Sequence, residues 1–144
     1  MTYRYFTGTP LWPFGFGLSY GHFEFLGAPN ATIHTTVADA RTQPLCFEVV
    51  VTNSGMLSDV VVLAFIHSDH ADATPNPKLA NFTRESSLGG RRAVQLCVGG
   101  ALPLVDDNGR ARILPGEYRV TAGVEGGVGG SGAGSRVGTI VVKS

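Results

Sequence analysis

Four side chains of the types that bind divalent metals lie close together in the stretch HSDHAD: His67, Asp69, His70 and Asp72. A metal site needs its ligands fixed on a rigid frame. These residues open the polar, Pro-broken segment that we predict to be a loop at 69–83, and the sequence marks no further ligands to complete a site. The sequence therefore favours a solvated loop, and we predict neither a metal nor a cofactor.

Paired carboxyl groups can act as a general acid and a general base, but the chain offers few such pairs. Asp106 and Asp107 are adjacent in DDNGRA, where the Asn-Gly pair predicts a type I′ hairpin turn, so their side chains should diverge. Glu85 and Glu117 flank turns that are far apart in the chain. We predict no catalytic residue in this sequence.

The letters of a dinucleotide-binding fingerprint, G-x-G-x-x-G, occur at 127–132. That motif functions where a helix follows the glycines and an acidic residue comes about 20 positions later. Here a strand pattern follows instead. We interpret the Gly-rich span 123–138 as a flexible connection between strands.

Aromatic residues are concentrated in PLWPFGFGLSYGHF, at 10–23. Proline and glycine interrupt this stretch, and its aromatic spacing is close to two, so an extended, turning segment is favoured over a helix. Such a segment cannot bury its own aromatic rings away from water. Something else must pack against it.

The composition excludes several classes of function. The 144 residues are 43% hydrophobic and 15% charged, with 11 basic and 11 acidic side chains and a formal net charge of zero. This balance gives no attraction for nucleic acid or an anionic membrane, and no apolar run is long enough to cross a bilayer. We therefore predict neither nucleic acid nor membrane as a partner.

Apolar periodicity predicts strands at 45–55, 59–68, 91–98, 113–124 and 136–143. Their regular spacing, with turn signals between them, favours an all-β sandwich. One face of each sheet in a sandwich meets water. Because 59–66 is apolar on both faces, we expect a second body to cover its outer face.

A tyrosine near the start of a late strand supports this topology. Tyr118 follows a Pro-Gly turn in LPGEY, the place where immunoglobulin-like and fibronectin type III sandwiches carry a tyrosine corner. The phenol of such a tyrosine bonds to backbone a few residues upstream. An ordinary core tyrosine is the alternative.

The stretch YRYFTGTPLWPFGFGLSYGHF resembles the segment that enters the C-terminal fibronectin type III-like domain of glycoside hydrolase family 3 enzymes. The resemblance continues through VVVTNSG, PNPKLANF and LPGEYRVTAG, and so covers nearly the whole chain. A narrower similarity, in CVGGALPLVDDNGRARILPGEYRV, is to the branch with plant-type β-xylosidases and α-arabinofuranosidases. The long span 123–138 departs from the family, as does Asn81 at a position where glycine is usual.

The resemblance implies an immunoglobulin-like (fibronectin type III-like) antiparallel β-sandwich at 27–144, preceded by an extended aromatic segment at 1–26. In the family this segment lies between the sandwich and a catalytic domain, which is absent from this sequence. The residues expected to dock there are Trp12, Pro13, Phe14, Phe16, Leu18, Tyr20 and Phe23.

The resemblance also implies a function. The family's nucleophile and acid/base lie in upstream domains, so the chain would be a non-catalytic accessory domain of an enzyme acting on β-xylosides or β-glucosides. Its partners would be the catalytic domains of the same polypeptide, and its loop at 67–78 would approach the active-site rim. The alternative is a free-standing extracellular sandwich that binds glycan or assembles with partners through the aromatic segment.

Sequons at Asn30 and Asn81 favour an extracellular or cell-wall location, with the targeting signal upstream of this sequence.

In the fibronectin topology the strands at 45–52 and 91–98 pair antiparallel. That pairing makes Cys46 and Cys97 neighbours on the face opposite the apolar core set. The sequence does not decide whether these two cysteines form a disulfide or remain free thiols.

Overall fold

The computed structural model describes residues 2–27, 31–123 and 135–144. The strands are β1 (Phe23–Gly27), β2 (Thr32–Thr36), β3 (Cys46–Ser68), β4 (Lys78–Cys97), β5 (Leu104–Val105), β6 (Ala111–Arg112), β7 (Gly116–Gly123) and β8 (Ser135–Lys143). Two single 3₁₀ turns, at Asp39–Arg41 and Gly99–Ala101, interrupt the strand pattern. Among the described residues there is no helix of the length and apolarity that crossing a membrane requires.

Two long strands, β3 and β4, contribute to both layers of the all-β sandwich. The first part of β3 pairs antiparallel with β1 and with the end of β4, and its second part pairs with the start of β4 and with β7. Irregular register between Asn53 and Ser58 separates the two parts. The second layer continues from β7 to β8 and ends with β2, which runs parallel to β8. Both layers contribute side chains to one hydrophobic core.

The predicted alternation of apolar residues is confirmed. Three sets of side chains are buried: Phe47, Val49 and Val51 on β3; Val94 and Leu96 at the end of β4 with Val98 just after it; and Tyr118, Val120 and Ala122 on β7. Side chains two residues apart lie on the same face of a strand, so each set faces the core together. Burial of these apolar surfaces is the main stabilising contribution to the sandwich.

The predicted loop at 69–83 is too long. Strand β4 begins at Lys78, and its first six residues pair with Val62–Ile66 of β3. A polar, half-exposed edge strand lacks the continuous apolar signal of a central strand, which explains the error. The short strand β2 escaped prediction for the same reason.

The turn at DDNGRA is a hairpin between β5 and β6, but the predicted type I′ geometry is wrong. That geometry needs positive φ at both central residues, and among the described non-glycine residues only Ser87 has positive φ, so Asn108 does not. Instead the Asp106 carboxylate accepts the N–H groups of Asn108 (3.0 Å) and Arg110 (2.9 Å), and Gly109, with φ of 76°, closes the turn. The Arg110 N–H leads the contributions that lower the pKa of Asp106.

Tyr118 bonds to the turn just before its own strand. Its hydroxyl donates to the carbonyl of Leu114 (2.9 Å) and accepts the N–H of the same residue (3.2 Å). Burial raises the pKa of this phenol above its ordinary value. The side chain thus ties the Leu-Pro-Gly turn to the core.

Candidate docking surface

The beginning of the aromatic segment folds back onto the chain's own sheet. Tyr3 stacks on Phe14 with ring centroids 4.2 Å apart, and Phe14 meets Phe65 of β3 edge to face at 6.1 Å. Phe65, on the outer face of β3, is only 2% exposed. The expectation that a second body covers this face is therefore wrong at Phe65, because the N-terminal rings lie there.

Hydrogen bonds from Asn76 fix the same part of the segment. Its side-chain Nδ2 donates to the carbonyls of Tyr3 (2.6 Å) and Phe6 (2.7 Å), and its backbone N–H donates to the carbonyl of Arg4 (3.2 Å). The Tyr3 hydroxyl accepts the N–H of Leu79 at 2.6 Å. Residues 3–6 are thus held by the connection between β3 and β4.

Further along the segment the predicted docking residues face outward. Trp12 and Phe16 stack on each other at 4.4 Å, yet both remain exposed. Leu18 is 97% exposed and Tyr20 is 84% exposed. These four side chains have little cover from the described part of the chain.

Phe23 and Pro13 differ from the other docking candidates. Phe23 lies in β1 opposite Asn53 and packs, partly buried, against the core. Residues 23–26, which we predicted within the docking segment, therefore belong to the sheet. Pro13 is half-buried and accepts the N–H of Phe16 (3.0 Å) in a turn.

Asn53 joins the end of the aromatic segment to the bend in β3. Its Oδ1 accepts the N–H groups of His22 (3.1 Å) and Gly55 (2.8 Å), while its Nδ2 donates to the carbonyls of Met56 and Leu88, each at 2.8 Å. The side chain is only 6% exposed and makes the four hydrogen bonds that an amide can make. It fixes the position of residues 20–22 relative to the bend.

A groove of about 690 Å³ lies between residues 15–24 of the segment and residues 54–61 of β3. Ser19 and Ser58 approach each other across it, with 3.5 Å between their hydroxyl oxygens. We define the docking surface as the exposed apolar side chains at this end of the sheet: Leu18, Tyr20, Met56, Leu57 and Val61.

Two members of the docking surface were missed in the sequence. Met56 and Leu57 are 70% and 68% exposed, immediately after the turn letters Asn-Ser-Gly. Two large apolar residues at the tip of a polar turn were the available signal. Val61, on the outer face of β3 that we expected a second body to cover, is 43% exposed.

Of the two acidic side chains that line the groove, Glu24 and Asp59, the second is engaged in structural hydrogen bonds. The Asp59 carboxylate accepts the N–H of Ser87 (2.8 Å) and the guanidinium of Arg84. The Ser87 bond, followed by the Arg84 bond, holds the pKa of Asp59 below its ordinary value. A carboxylate held in its ionised form cannot act as a general acid near neutral pH.

Three of the four metal-binding types at 67–72 have other partners: His67 in β3, and Asp69 and His70 after it. Asp69 pairs with Arg119 and lies 3.4 Å from His67 Nε2, and the His70 ring Nε2 lies 2.8 Å from the carbonyl oxygen of Pro115. Within residues 2–27, 31–123 and 135–144, no group of three His, Cys, Asp or Glu side chains is arranged to hold a metal ion.

Cys46 and Cys97 lie directly opposite each other in the β3–β4 pairing and form a disulfide, with 2.06 Å between the two sulfur atoms.

Asn81, the second sequon, donates its Nδ2 to the Cys97 carbonyl at 2.7 Å. The atom that would carry a glycan is therefore hydrogen-bonded. The first sequon, at Asn30, and the fingerprint at 127–132 lie outside the described residues.

No family model matches the chain. Among curated proteins it is 30% identical over 138 residues to a probable exo-1,4-β-xylosidase of Aspergillus fumigatus, and 30% identical over 125 residues to a β-xylosidase of Formosa agariphila. These matches cover 83% and 84% of this chain but only 17% of each relative. The chain thus spans about a sixth of the length of the curated relatives it matches.

Solved structures of β-glucosidases share the fold of this chain. A β-glucosidase of Listeria innocua aligns over 94% of this chain and 18% of its own, with a TM-score of 0.73 at 20% identity. The GH3 β-glucosidase of Bifidobacterium adolescentis aligns over 90% of this chain with a TM-score of 0.69 at 22% identity. The resemblance to glycoside hydrolase family 3 is confirmed. A β-glucosidase of Erythrobacter marinus, at 27% identity, aligns over 96% of this chain and 18% of its own, with a TM-score of 0.69.

Proposed function

We propose that the chain is a non-catalytic, fibronectin type III-like accessory domain of a family 3 glycoside hydrolase that acts on β-xylosides or β-glucosides. Its role is to pack against the catalytic domains of the same polypeptide and to stabilise them. The docking surface carries this proposal, because Leu18 and Tyr20 are almost fully exposed beside a well-packed core. Apolar side chains grouped in this way are typical of an interface.

The carboxyl groups support a non-catalytic role. Retaining glycosidases place two carboxyl groups about 5–5.5 Å apart, and one of them has a raised pKa so that it can donate a proton. In this chain the pKa values of Asp59 and Asp106 are both lowered, each chiefly by a backbone N–H. These two carboxylates have structural hydrogen-bonding roles.

An extracellular or cell-wall location is part of the proposal. Disulfides persist in oxidising compartments, and the structure pairs Cys46 with Cys97.

The experiment that tests the proposal measures the size of the native protein. An antibody to this domain should detect a band several-fold heavier than 15.1 kDa in extract of the source organism. The protein captured by that antibody should hydrolyse aryl β-xylosides or β-glucosides, whereas the 144-residue chain alone should not. A native band near 15.1 kDa, or hydrolysis by the chain alone, would contradict the proposal.

One observation favours the second candidate, a free-standing glycan-binding sandwich. The rings of Trp12 and Tyr20 are exposed, and exposed aromatic rings can stack on sugars. Saturable binding of xylan or cellulose oligosaccharides to the isolated chain, lost in Trp12→Ala, would favour this candidate when combined with a native band near 15.1 kDa.

A further inference from the structure

Two cationic side chains flank a small recess at the end of β3 that is remote from the docking surface. Arg4 of the N-terminal segment and Lys78, the first residue of β4, both line it. The recess, of about 20 Å³, also borders Ser68 and Pro103. Such a volume holds one water-sized group.

The guanidinium of Arg4 is incompletely satisfied. Its Nε is buried and has no hydrogen-bond acceptor among the described residues. The guanidinium carbon lies 5.7 Å from the ring centroid of Tyr5, and within the described part of the chain Arg4 forms no ion pair. A buried donor without an acceptor destabilises the fold, so a native structure rarely leaves one unused.

Lys78 places a second positive charge beside the first. Its Nζ donates to the carbonyl of Pro103 at 3.2 Å, and across the described residues it has no carboxylate partner. Burial, and then the charge of Arg4, hold the pKa of Lys78 below its ordinary value. The two cations therefore repel each other, and a shared anion would relieve that repulsion.

The carboxylates nearby do not supply this anion. Asp72 borders the recess, but it is exposed and forms no ion pair with either cation in the described structure. Asp69 is paired with Arg119. His67 also lines the recess and adds no negative charge.

The site is held in place before any ligand binds. Asn76 hydrogen-bonds the backbone on both sides of Arg4 and the carbonyl of Arg4 itself. Lys78 lies two residues after Asn76, where β4 begins. The two cations are therefore positioned by backbone contacts, and binding requires little ordering of the chain.

We propose that Arg4 and Lys78 form a binding site for a carboxylate group, with one carboxylate oxygen in the recess and the Arg4 Nε–H among its donors. Hydrogen bonds between ionised partners are about twice as strong as neutral ones, and the planar guanidinium matches carboxylate geometry. This site does not depend on the proposed accessory function. It would be present in the isolated chain under either candidate function.

The test is a nuclear magnetic resonance titration of the isolated chain with acetate and with D-glucuronate. Chloride keeps the ionic strength constant. We expect a saturable shift of the Arg4 Nε–H resonance and of the Asn76 side-chain amide beside it. Failure of both signals to shift, or an equal shift with chloride alone, would overturn the proposal.

Variants identify the cations that bind. In Arg4→Gln and in Lys78→Gln we expect acetate to bind at least about tenfold more weakly. The shift of the Asn76 side-chain amide resonance measures this affinity in both variants. The control Arg92→Gln, which removes an exposed arginine paired with Glu85, should bind acetate as the unchanged chain does. Unchanged affinity in both test variants would overturn the site.

The two probes distinguish the source of the carboxylate. Similar affinities would show that the site recognises the carboxylate alone, as it would for an acidic side chain of a partner protein. Tighter binding of D-glucuronate would show that the sugar ring contributes, and would assign the site to free or glycan-linked uronic acids. Both results support a carboxylate site.

Discussion

The two parts of the N-terminal aromatic segment, called its first and second halves below, differ in aromatic content and in surroundings: six aromatic residues lie in 2–16 and one, Tyr20, lies in 17–22. The first half, residues 2–16, is held at residues 3–6 by Asn76 and places Phe14 on Phe65 of β3, although Trp12 and Phe16 within it remain exposed. The second half, residues 17–22, leaves Leu18 and Tyr20 exposed beside the groove. Aromatic content alone therefore does not identify a docking site. The difference lies in whether another part of the same chain accepts the side chains.

The largest expected effect comes from removing the Phe65 side chain, on which Phe14 of the first half packs. Replacing Phe65 with alanine should lower the free energy of unfolding by about 3–5 kcal/mol, because a buried phenylalanine leaves a cavity. Denaturant unfolding measures the change. The matched control is Val61→Ala on the same face, where 43% exposure predicts a loss below about 1 kcal/mol. Equal losses in the two variants would contradict the comparison.

A smaller effect should follow from releasing the backbone of the first half. In Asn76→Ala the carbonyls of Tyr3 and Phe6 lose their side-chain donor, which should cost about 1–3 kcal/mol. Hydrogen exchange should accelerate at the N–H of Leu79, which is bonded to Tyr3. Asn108→Ala is the control, since its side chain faces solvent in the β5–β6 turn. If that control loses as much stability as Asn76→Ala, the contacts of Asn76 are unimportant.

Lowering the pH should destabilise the contacts of Asp59 in the groove beside the second half before it destabilises the first half. The folded-state pKa of Asp59 lies below its ordinary value, so the stability that its ionised form provides is present above that value. This stability is lost as the pH falls below about 4, the ordinary value of an aspartic acid, and through the lowered folded-state pKa. Unfolding measured across this range should show a smaller loss in Asp59→Asn, and Asp107→Asn should behave as the unchanged chain does.

The smallest effect on stability is expected in the second half. Leu18→Ser and Tyr20→Ser should change the free energy of unfolding of the isolated chain by no more than about 0.5 kcal/mol, because both side chains are already in water. The double variant should bind less of a dye specific for apolar surfaces and should self-associate less. A large loss of stability would show that these side chains pack within the chain.

Much of the fold was predictable because buried strands carry a strong periodic signal. Phe47, Val49 and Val51 recur at every second position, and this spacing defines the inner face of the strand. The pairing of Cys46 with Cys97 followed from the antiparallel topology and from side-chain parity. Edge strands such as β2 and the start of β4 were not predictable in this way, since half of their surface meets solvent.

The docking surface was only partly predictable, because it is assembled from distant parts of the sequence. Leu18 and Tyr20 stood out in the aromatic stretch, but Met56 and Leu57 join them only through the bend that Asn53 stabilises. Phe14 also meets Phe65, a contact that the spacing of the aromatic residues did not predict. Local spacing does not reveal such long-range contacts.

The disulfide between Cys46 and Cys97 closes a covalent ring that contains the exposed connection from Asp69 to Pro77. Proteases cut preferentially at exposed loops of this kind. After a single cut there the two pieces remain bonded to each other, and their strands stay paired across β3 and β4. In a compartment that contains proteases, the domain would tolerate such damage and continue to function as one body.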